Sequence, residues 1–142
     1  MSAGPAMNAR PAVGDRFTLV KDPVTTVQLV MYAGASGDFN RIHYDLPYAQ
    51  EAGLGGVIAH GMLTMGFAAQ AVTDWAGPGA VVRDLSARFL IPVRPGDRVT
   101  VEGRVDEVRE EEGRLVVAVG FEAATAAGRV AAGSGIVVRP TR

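Results

Sequence analysis

The stretch MLTMGFAAQAVTDW, Met62 to Trp75, is apolar nearly all the way round, with only Thr64, Gln70, Thr73 and Asp74 as polar interruptions. A helix of that composition is buried. Its 14 residues span about 20 Å at 1.5 Å per residue, whereas a membrane crossing takes roughly 20 mostly apolar residues. The segment therefore reads as the core helix of a water-soluble fold. Gly61 and Gly66 let other backbone approach it closely, and Gly55-Gly56-Val57-Ile58-Ala59-His60-Gly61 leads the chain into it.

Beyond Ala80 the period changes to two. Leu85, Ala87, Phe89 and Ile91 alternate with Ser86 and Arg88, and Val99, Val101 and Val105 alternate with Thr100, Glu102 and Arg104. These are half-buried antiparallel strands. Pro92, Pro95 and Gly96-Asp97 mark a turn, Glu110 to Gly113 a solvated hairpin, and Ala127-Gly128 another turn. Leu115 to Glu122 and Arg129 to Arg139 supply two further strands. Before the core helix, Thr25 or Thr26 caps a short helix through about Ala33, with Val27, Val30 and Met31 at helical spacing and Gly34 just past its end. Asp45 before Leu46-Pro47 opens a second short helix that stops at Gly53. One long buried helix followed by a run of strands predicts an α+β fold in which an antiparallel sheet wraps the helix.

Composition narrows what such a fold does. At 142 residues the chain has room for one core, read as a flexible tail over 1–12 and a single domain over 13–142. Apolar residues make up 48% and charged residues 20%, so the chain is expected to fold. A net charge of -1 with scattered basic residues gives no footprint for nucleic acid. The absence of cysteine removes disulfides, thiolate nucleophiles and cysteine zinc sites. The tail has neither the basic start nor the apolar core of a signal peptide, and a cytoplasmic protein without membrane contact is expected.

Both histidines sit in short polar patches, Ser36-Gly37-Asp38-Phe39-Asn40-Arg41-Ile42-His43 and Ala59-His60-Gly61-Met62. The first places a carboxylate and an imidazole in one loop. The second places a glycine amide where the buried helix begins. Together these are the parts needed to move protons beside a carbonyl.

Three stretches, YAGASGDFNRIHYDLPYAQEA from Tyr32, IAHGMLTMG from Ile58 and RFLIPVRPGDRV from Arg88, resemble the MaoC-like dehydratase and (R)-specific enoyl-CoA hydratase family of hot-dog proteins. The resemblance covers most of the chain after Val13, and within the family IAHGMLTMG looks most like the catalytic B subunit of the mycobacterial (3R)-hydroxyacyl-ACP dehydratase. It implies a hot-dog fold and an Asp/His active site on Asp38 and His43. It further implies an acyl-CoA or acyl-ACP substrate, no cofactor, no metal, and a dimer with itself or with another hot-dog subunit. One position departs from the pattern: the family carries proline between the asparagine and the aliphatic residue before histidine, and Arg41 stands there. Loss of proline's fixed φ loosens such a loop.

The implied chemistry suits these residue types. Removing water from a 3-hydroxyacyl thioester takes a proton from C2 and protonates the hydroxyl leaving C3; hydration reverses this. Histidine titrates near neutrality and aspartate near 4, so Asp38 and His43 acting jointly can hold one hydroxyl and exchange its proton, with Asn40 orienting the loop. Gly61, at a helix N-terminus, is the expected donor to the thioester oxygen as negative charge develops. Phe39, Met62 and Met65 are candidates for an acyl pocket, although such a stripe also serves as ordinary core. His60 reads as a packing residue, and Arg83, Arg88, Arg94 and Arg98 as a solvated face able to meet phosphate. A hot-dog thioesterase and a non-catalytic acyl-binding subunit are the competing functions; the GDxNxxH loop argues against the first and the retained Asp38 and His43 against the second.

Overall fold

A computed structural model describes residues 2–3, 7 and 10–141. Among the described residues, six strands form one antiparallel sheet: β1 (Ser2–Ala3), β2 (Arg16–Val20), β3 (Val81–Phe89), β4 (Thr100–Glu111), β5 (Arg114–Thr125) and β6 (Gly128–Pro140). Three helices accompany it: α1 (Thr26–Ser36), α2 (Leu46–Glu51) and α3 (Gly61–Ala76). A single 3-10 turn, Arg41–His43, lies between α1 and α2.

The expected alternation builds the sheet. Val101 and Val105 on β4 and Val117, Val119 and Phe121 on β5 all turn inward and are at most 2% exposed. Glu112 (φ 52°) and Gly113 (φ 77°) connect β4 to β5; two successive left-handed residues make the type I′ hairpin that matches strand twist. Strand order is β1-β2-β4-β5-β6-β3. After α3 the chain thus crosses to the far edge, and β3 pairs only with β6.

α3 packs against all six strands, so the sheet wraps the helix and the hot-dog fold is realised. Its buried stripe is Leu63, Thr64, Phe67, Ala68, Ala71, Val72, Trp75 and Ala76, the spacing of one helical face. Burial all round does not hold: Met62 is 56% exposed, and Gly66, Thr73 and Asp74 also face outward. Phe17 stacks on Trp75 with centroids 4.7 Å apart, and its ring fills the space a side chain at Gly103 would need.

Two local expectations need correction. α1 runs through Gly34 to Ser36 and ends at Gly37, whose φ of 74° and N–H bond to Ala33 O make the cap; a mid-helix glycine is tolerated, and only Gly37 takes the left-handed conformation that stops the helix. Leu29 and Ala33 form its buried face, while Val27, Val30 and Met31 point outward. β2 was not anticipated, because a five-residue strand carries only Phe17 and Leu19 as its alternating signal. Of the expected tail, residues 1, 4–6, 8 and 9 lie outside the described residues. Ser2–Ala3 pairs with Leu19 and Val20, and Met7, 8% exposed, donates its N–H to Trp75 O at 2.7 Å.

Candidate active site

Three segments converge at the start of α3. Gly37 caps α1 and turns the chain into the Asp38 loop. Asn40 then caps the 3-10 turn by accepting the Ile42 N–H on Oδ1 at 3.2 Å, which places His43 at the end of that turn. The strand-like segment before α3 joins on: Ile58 N–H bonds to Ile42 O and Ala59 N–H to Val93 O. The loop after β3 is thereby drawn in as the third wall.

His43 is 7% exposed, and its Nδ1 lies 2.8 Å from Ile58 O. A carbonyl only accepts, so Nδ1 carries the proton in the neutral ring and Nε2 keeps its lone pair. That Nε2 lies 3.7 Å from Asp38 Oδ2. The Asp38 side chain is 51% exposed, and its Oδ1 accepts the Asn40 N–H at 3.1 Å, leaving Oδ2 toward the ring. The gap is longer than a direct hydrogen bond. A substrate hydroxyl or water placed about 2.8 Å from both atoms would bridge it.

His60 stacks on His43 with centroids 3.7 Å apart and 20° between planes. Its Nε2–H donates to Asp38 O at 3.2 Å, and Tyr32 meets the ring edge-on. Burial holds the His60 imidazole below its ordinary value, and the neighbouring His43 acts in the same direction, against the hydrogen bond to the Asp38 carbonyl. The ring thus pins both the loop backbone and the face of His43.

Gly61 is the first residue of α3, and its N–H has no hydrogen-bond partner among the described residues, as expected at a helix start. It lines a cavity of about 350 Å³ together with His43, Thr64, Phe89, Ile91 and Val130. The Phe89 ring lies flat over it: a Cβ at Gly61 would be 3.1 Å from two ring carbons. A larger depression of about 410 Å³ on the outer sheet face, beside Arg88, Arg104 and Glu122, holds no histidine.

His43 and Gly61 therefore share the cavity of about 350 Å³ and Asp38 lies beside His43, while neither Asp38 nor Asn40 is among the residues that line it. Phe39 and Met62, 61% and 56% exposed, do not line this cavity, nor does half-buried Met65; Phe89 and Thr64 take their place. Phe89 was visible in sequence only as an alternating strand residue. Asp38, His43 and His60 each offer a ligand atom within 4.8 Å of the others. With the rings face to face, an ion shared by both would sit out of the plane of each lone pair, a poor arrangement for coordination. Among the described residues no helix is long and apolar enough to cross a membrane.

Comparison with known proteins points the same way. Residues 8–127 match the family model for the MaoC like domain. An (R)-specific enoyl-CoA hydratase of Rhodospirillum rubrum is 39% identical over 88 residues, 61% of this chain and 60% of that protein; the match thus spans less than two thirds of that relative. The 3-oxo-4,17-pregnadiene-20-carboxyl-CoA hydratase beta subunit of Mycobacterium tuberculosis is 30% identical over 99 residues, 70% of this chain and 74% of that one. The crystallised (R)-hydratase from A. caviae involved in PHA biosynthesis superposes with a TM-score of 0.80 at 28% identity, covering 91% of this chain and 97% of the other.

Proposed function

This chain belongs to the MaoC-like domain family, and from that premise we propose that it interconverts (3R)-hydroxyacyl and trans-2-enoyl thioesters of coenzyme A or acyl carrier protein. The observation that carries the reading is the approach of His43 Nε2 to Asp38 Oδ2, 3.7 Å, at a cleft shared by His43 and the unbonded Gly61 N–H. In the dehydration direction the pair removes the C2 proton and delivers one to the departing C3 hydroxyl. In hydration the same two acceptors hold the attacking water. The thioester oxygen, negative as the enolate forms, sits against the Gly61 N–H at the positive end of α3. The apolar wall of Phe89, Ile91 and Val130 takes the acyl chain and lowers the local dielectric, which strengthens both effects.

The functional unit in this reading is a pair of chains. β3 lies at the sheet edge with one neighbour, and Phe89, Leu90 and Ile91 beside the cleft are 49%, 45% and 38% exposed. An unpaired edge flanked by such residues is suited to strand addition. A second copy, or another hot-dog subunit, would extend the sheet and close the cleft. Sedimentation at about twice the 14.8 kDa chain mass checks the homodimer.

Purified protein assayed with crotonyl-CoA and longer enoyl thioesters should remove the enoyl absorbance. Asp38→Asn and His43→Gln should each lower kcat by about 100- to 10,000-fold, the range for lost acid–base groups. Turnover that survives either change rejects the assigned pair.

A further inference from the structure

Arg41 has no part in the chemistry above, yet its side chain is held by two partners. Its Nε and Nη2 both donate to Asp45 Oδ2, at 3.0 and 2.8 Å. Its guanidinium lies over the Tyr48 ring, with Cζ 4.5 Å from the centroid. The other oxygen of Asp45 accepts the Tyr48 N–H at 3.2 Å and caps α2. One carboxylate thus serves the turn that ends at His43 and the helix that follows. The backbone closes the same circuit, because Arg41 O accepts the Asp45 N–H at 2.9 Å.

We propose that Arg41 is a positioning residue for the active site: gripped by Asp45 and laid on Tyr48, it fastens the turn carrying His43 to the first turn of α2. This rests on the hydratase reading for its kinetic consequences, although the clamp itself is defined without it. The clamp stands at the position where the family pattern that the sequence resembles carries proline. The backbone here would accept that ring. Asn40 has φ -58° and ψ 124°, the extended conformation that a residue before proline takes. Arg41 is the first residue of the turn, a position whose N–H has no acceptor within the turn and where proline's φ fits. The two solutions differ in one respect: ring closure is indifferent to salt, whereas an ion pair in which two N–H groups share one carboxylate oxygen, with side chains 58% and 26% exposed, is screened by it.

The test compares the full-length protein with Arg41→Ala, Asp45→Asn and Arg41→Pro at about 0.05 and 1 M NaCl. Displacements of about 1 Å at a reacting group cost up to about 100-fold, so Arg41→Ala should lose about 10- to 100-fold in kcat with KM nearly unchanged. Its melting temperature should shift by only a few degrees, because an exposed pair adds little to global stability. Asp45→Asn, which retains a capping side chain, should reproduce the loss. Arg41→Pro should recover kcat to within about threefold of wild type and abolish the salt dependence, by the fixed φ alone. Hydrogen exchange at the Ile42, His43 and Asp45 amides, read on the same proteins, should quicken about tenfold in Arg41→Ala and return in Arg41→Pro, as expected for local opening. Unchanged exchange, or an alanine variant turning over at the wild-type rate, overturns the clamp. A proline variant as slow as the alanine variant overturns it as well. Inert wild-type protein with altered exchange would leave the clamp standing and remove the hydratase reading instead.

Discussion

Substituting Gly61 with alanine perturbs the proposed oxyanion position while keeping its N–H. The new Cβ would lie 3.1 Å from two carbons of the Phe89 ring and 3.3 Å from a third. Carbon atoms in good contact are about 3.5–4.0 Å apart, so the ring must retreat by roughly 0.4–0.9 Å. Phe89 is 49% exposed and has room to swing, which places the stability cost at the low end of overpacking, about 1 kcal/mol, or a fall of some 3–5 °C in melting temperature. The catalytic cost should be far larger. Methyl group and displaced ring both line the cleft that the thioester oxygen must enter, and loss of one such donor costs about 100- to 1,000-fold. We expect kcat/KM on crotonyl-CoA, followed by enoyl absorbance, to fall about 100-fold. Adding Phe89→Ala to Gly61→Ala should return at least tenfold of that, a coupling that a double-mutant cycle isolates. Wild-type kcat/KM in Gly61→Ala, or strictly additive losses in the double variant, would refute the reasoning.

Because the folded His60 imidazole sits below its ordinary value, the unfolded chain binds the extra proton first as pH falls. Its contribution is complete above about pH 6.5 and is lost between there and the folded-state value, at about 1.4 kcal/mol per unit of difference. Urea midpoints at pH 7.5 and 5.5 should therefore drop on acidification in wild type and drop less in His60→Asn, with equal slopes counting against the assignment. Gly133→Val should fail to give stable protein, a loss above about 4 kcal/mol, since any Cβ there meets the Ser86 carbonyl and the Phe121 ring; thermal melting of the soluble fraction checks it. Gly66→Ala, on the outer face of α3 with open space around it, should instead gain about 0.5–1 kcal/mol in urea unfolding.

Much of the architecture was readable because it rests on period. The apolar run at Met62–Trp75 could only be a core helix, and Val99, Val101 and Val105 could only line one face of a strand. The β4–β5 hairpin was marked by the glycine its positive φ demands. The end of α1 was misread because Gly34 and Gly37 carry equal sequence signals, and the choice between them is made by which one caps Ala33 O. The route of β3 to the far edge beside β6 is a matter of long-range pairing that no local pattern encodes. At the candidate site, residue chemistry pointed to Asp38, His43 and Gly61, and the structure sets His43 beside Asp38 and in one cavity with Gly61. The His43–His60 stack and the Phe89 ring over Gly61 unite segments far apart in sequence and were invisible. Met62 faces outward for a reason of phase: it lies one position before Leu63, on the outward side of the stripe.

The two stacked imidazoles differ in their surroundings, which bears on the proton transfer proposed for His43. Each is fixed in a tautomer by a carbonyl, His43 through Nδ1 to Ile58 O and His60 through Nε2 to Asp38 O. Each therefore has one lone pair left. On His60 it is Nδ1, buried without a hydrogen-bond partner among the described residues, where an added proton would be a charge out of reach of water. On His43 it is Nε2, facing Asp38 Oδ2 at 3.7 Å. With the rings in contact, the neighbouring His43 adds to burial in disfavouring charge on His60. Burial thus disfavours a charge on His60, while its N–H holds the Asp38 backbone in place.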